Sequence, residues 1–230
     1  QNLINEMDEV SRKIEYLVGS ATTINEMREL AAKTPFDNEI IDFLNTLSKM
    51  LMKLPEAKMY PDVITLAFWM RKSSVMELRK RFMKQTKDIV LGRGIAFHIA
   101  PSNVPVNYAY SLVTGLLTGN ANIVRIPSKE FPQVSIINKA IKSILEEYPN
   151  VARYICLVRY ERDPNINDLI SGIADIRIIW GGDNTIKEIR KSPLGARAND
   201  VTFADRYSLA VIDSEQYLAV DDKERLAEEF

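Results

Sequence analysis

Gly92-Arg93-Gly94-Ile95-Ala96-Phe97-His98-Ile99-Ala100-Pro101-Ser102-Asn103-Val104-Pro105 decides how this chain is read. The glycines make a turn, Ile95 to Ala100 a short buried strand, and Asn103 with Pro105 the entrance to a helix. A strand that feeds a helix through a short loop is half of a βαβ unit. In such folds ligands sit in the crevice outside the carboxyl ends of the strands. The stretch therefore puts a side-chain amide, that of Asn103, at a crevice mouth. The chain's one cysteine, Cys156, lies elsewhere.

The same rhythm continues downstream. Pro105 to Leu117 reads as a helix stopped by Gly119-Asn120, a usual terminator. Ala121 to Ile126 is a strand and Pro132 to Tyr148 a helix. Val151 to Val158 is a strand carrying Cys156. Ile166 to Ile173 is a short helix and Ile176 to Trp180 a strand. Gly181-Gly182-Asp183 opens a helix from Asn184 to Lys191. Val201 to Phe203 and Ser208 to Ile212 read as strands, and Gln216 to Phe230 as an acidic helix. Alternating strands and helices imply a largely parallel sheet wrapped by helices.

Upstream, the first ninety residues read almost wholly as helix. Ile40, Leu44, Leu47, Leu51 and Leu54 recur at helical spacing behind Asp37, and Pro55 closes that segment. A second segment runs from Pro61 through Trp69 to Phe82, with a bend at Ser73-Ser74. The division expected is an N-terminal helical region over residues 1–88 and an α/β, Rossmann-like domain over 89–230.

Composition narrows the chemistry. Of 230 residues, 46% are hydrophobic and 27% charged, with a formal net charge of −1. That balance suits a soluble globular chain with no general affinity for nucleic acid or anionic membrane. The basic cluster of Arg79, Lys80, Arg81, Lys84 and Lys87 reads as a solvated helix face. One cysteine excludes an internal disulfide and a cysteine-rich zinc site, and one histidine argues against a multi-histidine metal centre. No apolar run reaches membrane-spanning length, and no signal peptide is visible, so a cytoplasmic location is expected.

Several residues carry two readings. Asn103 either caps the following helix or points its amide into the crevice to hold an oxyanion. Gly181-Gly182-Asp183 is either an ordinary turn or a helix start that receives a pyrophosphate. Arg125-Ile126-Pro127-Ser128-Lys129 is either a solvated turn or a place for a ribose and its phosphate. His98 reads as structural. Cys156, between Ile155 and Leu157, reads as a buried and unreactive thiol.

Taken together, these residues resemble the LuxC-type acyl-CoA reductases, bacterial relatives of the aldehyde dehydrogenase superfamily. Tyr60-Pro61-Asp62-Val63 with Ala67-Phe68-Trp69-Met70-Arg71-Lys72 looks like the family's N-terminal signature. Gly92-Arg93-Gly94 and Phe97 to Pro105 look like its central one. Gly115 to Pro127 and Asp175 to Ile189 continue the match. The resemblance implies a sheet of the aldehyde dehydrogenase type and an activity that reduces an acyl thioester to an aldehyde through an acyl-cysteine. It implies that Asn103 forms the oxyanion hole and that Ala100, Pro101 and Ser102 line the nicotinamide side. It sets Gly181 and Gly182 at the pyrophosphate, and Thr185 near the adenine.

Departures from the superfamily pattern refine the reading. Ile126 stands where the superfamily has a ribose-binding lysine, with Arg125 adjacent. Lys129 stands where it has a glutamate near the ribose. Pro127 and Ser128 complete that segment. Exchanging a carboxylate for cations favours NADPH, with NADH as the alternative. Ala204 falls at the general-base glutamate, which suits reduction over oxidation. The family's nucleophilic cysteine is expected downstream of the acidic helix. The chain thus reads as the N-terminal, cofactor-binding portion of such a reductase, taking acyl-CoA when intact and inactive alone. Apolar surface left exposed would favour a homo-oligomer. Two rivals remain: a non-catalytic nucleotide-binding scaffold, and a CoA-acylating aldehyde dehydrogenase.

Overall fold

The computed structural model describes residues 12–85, 88–206 and 209–229. Five short segments form parallel strands: the largely apolar β2 (Ile95–Ile99), β3 (Ala121–Arg125), β4 (Ile155–Arg159) and β5 (Ile176–Trp180), and the more polar β6 (Asn199–Phe203). Every residue of β2 is buried, the mark of a strand covered on both faces. A four-residue strand, β1 (Glu15–Val18), pairs antiparallel with β4. The sheet order is β1-β4-β3-β2-β5-β6. After β2 the chain steps outward through β3 to β4. It then returns to the other side of β2 for β5 and β6. The direction of winding therefore reverses between β2 and β5.

Helices cover the faces. Helix α1 (Ala21–Met27) is followed by α2 (Asn38–Lys53), whose first turn is capped by Asp37 through the N–H groups of Glu39 and Ile40 at 3.0 and 3.3 Å. Ile40, Phe43, Leu44, Leu47 and Leu51 of α2 are buried. They pack toward α3 (Pro61–Trp69), α4 (Lys72–Gln85), α5 (Asn107–Leu117) and α6 (Pro132–Leu145). Ser48, at the centre of α2, donates its hydroxyl hydrogen to the Ala67 carbonyl of α3. One continuous hydrophobic core joins these helices to the sheet.

Beyond shifts of one to three residues at other element ends, five parts of the sequence reading change. The N-terminal region is not wholly helical, because Glu15–Val18 completes the sheet at an edge only the folded β4 provides. The bend after α3 falls at Met70–Arg71 rather than Ser73-Ser74. The Phe68 carbonyl there accepts from Arg71 Nε at 3.1 Å and Ser74 Oγ at 3.2 Å, which ends one helix and starts the next. Val151 belongs to a helical turn, α7 (Pro149–Ala152), entered through proline, so β4 begins only at Ile155. Leu209 to Ile212 form no strand; Ser208 lies outside the described residues. The acidic terminal helix is two helices, α10 (Ser214–Ala219) and α11 (Lys223–Glu229), because Asp213 and Asp222 each cap a new start at 2.9 Å. Phe230 lies outside the described residues.

Two polar ties hold the strands in register. Gly94, at φ 127°, leaves room where a β-carbon would collide with the Asp175 carboxylate, and that carboxylate accepts the Ile95 N–H at 2.8 Å. Arg177, on β5 and almost fully buried, meets Asp200 of β6 through two bonds of 2.7 and 3.1 Å. Its remaining nitrogen donates to Ser171 Oγ of helix α8 (Pro164–Ile173) and to the Ser192 carbonyl, both at 2.9 Å.

Candidate functional site

The winding reverses between β2 and β5, and in an open α/β sheet such a reversal sets a crevice at the carboxyl ends of the strands, the usual ligand position. The loop from Ala100 to Val104 forms one wall. Gly181-Gly182, leading into α9 (Asp183–Ile189), forms the other. Every candidate residue read from the sequence falls on this edge of the sheet. Ala100 follows β2 and its N–H donates to the Arg125 carbonyl at 3.1 Å, which ties the loop to the end of β3. Pro127, Ser128 and Lys129 follow β3, and Thr185 lies in the first turn of α9.

Asn103 does not cap α5. That helix starts at Asn107, behind Val106, with no side-chain cap. Ser102 and Asn103 are exposed, and the Asn103 amide makes no hydrogen bond among the described residues. An exposed amide without an internal partner is available to a ligand. At the next strand, Arg125 is engaged rather than open. Its guanidinium lies 4.5 Å from the centre of the Tyr160 ring and donates to the Tyr160 carbonyl at 3.4 Å. Lys129 is exposed beside Phe131, 4.9 Å from the ring centre. Ser128 is likewise exposed.

The sequence reading missed Asp205. It lies beyond β6, and its carboxylate accepts the Asp183 N–H at 3.2 Å. A β-carbon on Gly182 would stand 2.9 Å from that carboxylate, so glycine permits the approach. A β-carbon on Gly181 would stand 3.0 Å from the Thr185 methyl. The start of α9 therefore already holds an anion. The donor chemistry suits a phosphate, but one binding there must displace the Asp205 carboxylate. The signal in the sequence was slight: an acid two residues past a strand end.

Behind the crevice runs a buried polar chain. Asn122 Nδ2 donates to the Asn120 carbonyl at 2.7 Å and the Tyr154 carbonyl at 3.4 Å, which turns its Oδ1 toward His98. His98 Nε2–H donates to that oxygen at 3.0 Å. Nδ1 is then left as an acceptor for the Ser111 hydroxyl at 2.7 Å, and Ser111 Oγ in turn accepts the Trp180 indole N–H at 3.1 Å. Burial lowers the His98 pKa from 6.5 to about 4, so the imidazole is neutral. Trp180 stacks on Phe203 with centroids 3.8 Å apart and planes at 6°.

Cys156 is fully buried, and burial pushes its thiol up to about 12. Among the described residues no cluster of His, Cys, Asp and Glu suits a metal, and no helix is long and apolar enough to cross a membrane.

This arrangement can be set beside known proteins. Residues 6–229 match the family described as acyl-CoA reductase (LuxC). The chain belongs to that family. It is 28% identical over 128 residues to long-chain acyl-protein thioester reductase 2 of Photobacterium leiognathi, a match covering 54% of this chain and 26% of that protein. It is 24% identical over 124 residues to the long-chain acyl-protein thioester reductase of Aliivibrio fischeri, covering 53% and 26%. The matched segment thus spans about a quarter of the length of these relatives. In structure it is similar to the glyceraldehyde-3-phosphate dehydrogenase GapN of Methanocaldococcus jannaschii complexed with NADP. The TM-score is 0.57 and the identity 17%, over 87% of this chain and 45% of that one. An aldehyde dehydrogenase variant from Bacillus cereus gives a TM-score of 0.53 at 13% identity, over 79% and 42%. The fold of this family member is accordingly of the aldehyde dehydrogenase type.

Proposed function

We propose that this chain supplies the cofactor-binding and oxyanion side of an NADPH-dependent acyl-thioester reductase. The observation that carries the reading is the Asn103 amide, exposed and without an internal partner, at the winding reversal of a LuxC-family sheet. Residues 89–230 form the cofactor-binding domain and 1–88 the N-terminal region, whose described helices pack beside it and which also lends β1 to the sheet. When bound, the nicotinamide supplies hydride. Ala100, Pro101 and Ser102 line its side of the crevice. The backbone at Gly181 and Gly182 receives the pyrophosphate once Asp205 turns away, with Thr185 near the adenine. Lys129 is the exposed cation for a 2′-phosphate. Pro127 and Ser128 border the ribose, and Arg125 reaches the phosphate only by leaving the Tyr160 ring.

Asn103 donates its NH₂ to the thioester oxygen as charge builds there, a contribution of a few kcal/mol in comparable sites. Cys156 is not the nucleophile: a buried thiol with a raised pKa furnishes no thiolate at neutral pH. The acyl-accepting thiol comes from residues other than these, and the acyl donor is a CoA thioester or a protein-borne one. Lacking that thiol, the chain alone does not turn over.

Asp205 favours a second reading, a scaffold that has given up its nucleotide, because its carboxylate sits where the phosphate would go. Calorimetric titration of the chain with NADPH and NADH separates the two. Saturable binding, tighter for NADPH, is expected. Absence of binding by either nucleotide supports the scaffold, and preference for NADH overturns the role given to Lys129.

A further inference from the structure

We propose that Trp180, Ser111 and His98 form a positioning relay that fixes the separation of the two crevice walls. The inference rests on the crevice being the ligand site, and it assigns work to side chains that touch no ligand.

Pairing of β2 with β5 fixes the strands beneath the two walls, and the relay ties the helix above them to the same frame. Trp180 is the last residue of β5 and is followed by Gly181-Gly182, one wall. Ser111 lies one turn into α5, the helix that follows the Ala100–Val104 loop, the other wall. Among the described residues, the bond from Trp180 Nε1 to Ser111 Oγ at 3.1 Å is the hydrogen bond that joins α5 to β5. Apolar contacts let a helix slide on a sheet, whereas a directed hydrogen bond sets one place.

The bond is itself held from below. Ser111 Oγ can accept from Trp180 because its own proton is committed to His98 Nδ1 at 2.7 Å. His98 accepts there because its other nitrogen donates to Asn122 on β3. All three supporting groups are buried, so none exchanges its partner for water without cost. Gly115 brings α5 down onto this chain: a β-carbon there would collide with Asn122 Oδ1 and press on His98 Nε2. On the far side, the Trp180–Phe203 stack carries the same constraint to β6, whose next segment brings Asp205 to the start of α9.

Two conservative variants of the chain test the relay. Trp180→Phe keeps an aromatic ring against Phe203 and removes the N–H. Ser111→Ala removes both bonds of the hydroxyl. Amide hydrogen exchange of the ligand-free protein is read by mass spectrometry, beside circular dichroism and NADPH titration. Both variants are expected to speed exchange at residues 100–106 and 181–185 at least fivefold, leave β3 and β4 protected, and weaken NADPH binding about tenfold. Uniformly faster exchange would mark a merely structural role and overturn the relay, as would loops that exchange at the parent rate. If the unaltered chain binds no NADPH, the cofactor reading falls, and the exchange pattern alone decides the relay.

Discussion

Lowering the pH should destabilise this protein through one imidazole. His98 is the chain's single histidine, and burial holds its pKa at about 4 against an ordinary 6.5. Between those values the unfolded chain takes up a proton that the folded chain refuses. Stability contributed by the neutral imidazole is therefore complete above pH 6.5, is lost as the pH falls toward 4, and changes no further below that. A shift of this size corresponds to about 3 kcal/mol, most of which is lost between pH 7 and 4.5. Urea unfolding at a series of pH values, for the parent and for His98→Gln, isolates the effect. Carboxylates titrate in both proteins and cancel in the difference. The parent's advantage over the variant should shrink by that amount over the interval. With one histidine, the C2 proton gives a single unambiguous NMR resonance. A folded-state midpoint near 6.5, or a difference that does not change with pH, would refute the account of a buried, neutral acceptor.

Four further outcomes follow from the geometry. Gly115→Ala drives a methyl into Asn122 and His98 and should cost about 1–3 kcal/mol in urea unfolding. Arg177→Met removes the buried partner of Asp200, which keeps only the exposed Arg190 at 3.4 Å, and should cost about 3 kcal/mol by the same assay, a loss that Asp200→Asn in the same chain partly relieves. Asp205→Asn removes the carboxylate competing at α9 and should tighten NADPH binding several-fold by calorimetry, while a weaker affinity would show that Asp205 helps the cofactor. In a catalytically competent protein containing these residues, Asn103→Ala should lower kcat roughly a hundredfold or more and leave the cofactor dissociation constant unchanged; unchanged turnover would remove Asn103 from the mechanism.

The alternation of apolar runs with capped helices made the parallel sheet legible. Ile95 to Ile99 and Ile176 to Trp180 are too short for helices and too apolar for loops, and Asp37, Pro61 and Pro132 punctuate the helices beside them. What stayed hidden depends on partners far away in sequence. Glu15-Tyr16-Leu17-Val18 has no strand signal stronger than its helical neighbours and becomes a strand because β4 leaves an edge unpaired. Arg177 looks like an intrusion into an apolar strand until Asp200 is brought beside it. At the site, Asn103 and the paired glycines were visible as loop chemistry. Asp205 was not, because an exposed acid after a strand says nothing of the helix start it reaches. The polar chain was seen only as an isolated histidine, since Ser111, Asn122 and Trp180 lie on three different elements.

The antiparallel pairing of β1 bears on how the chain comes to be folded during synthesis. Glu15 lies opposite Arg159 and is joined to it by a contact of 3.2 Å, across 144 residues of chain. At about 5–20 residues per second, the ribosome delivers the partner roughly 7 to 30 seconds after the strand that needs it. Strand β1 is thus placed only after β4 has been made. Until then, Val18, Ile24 and Met27, all buried in the finished protein, wait without cover. That interval is when these apolar side chains are open to wrong partners.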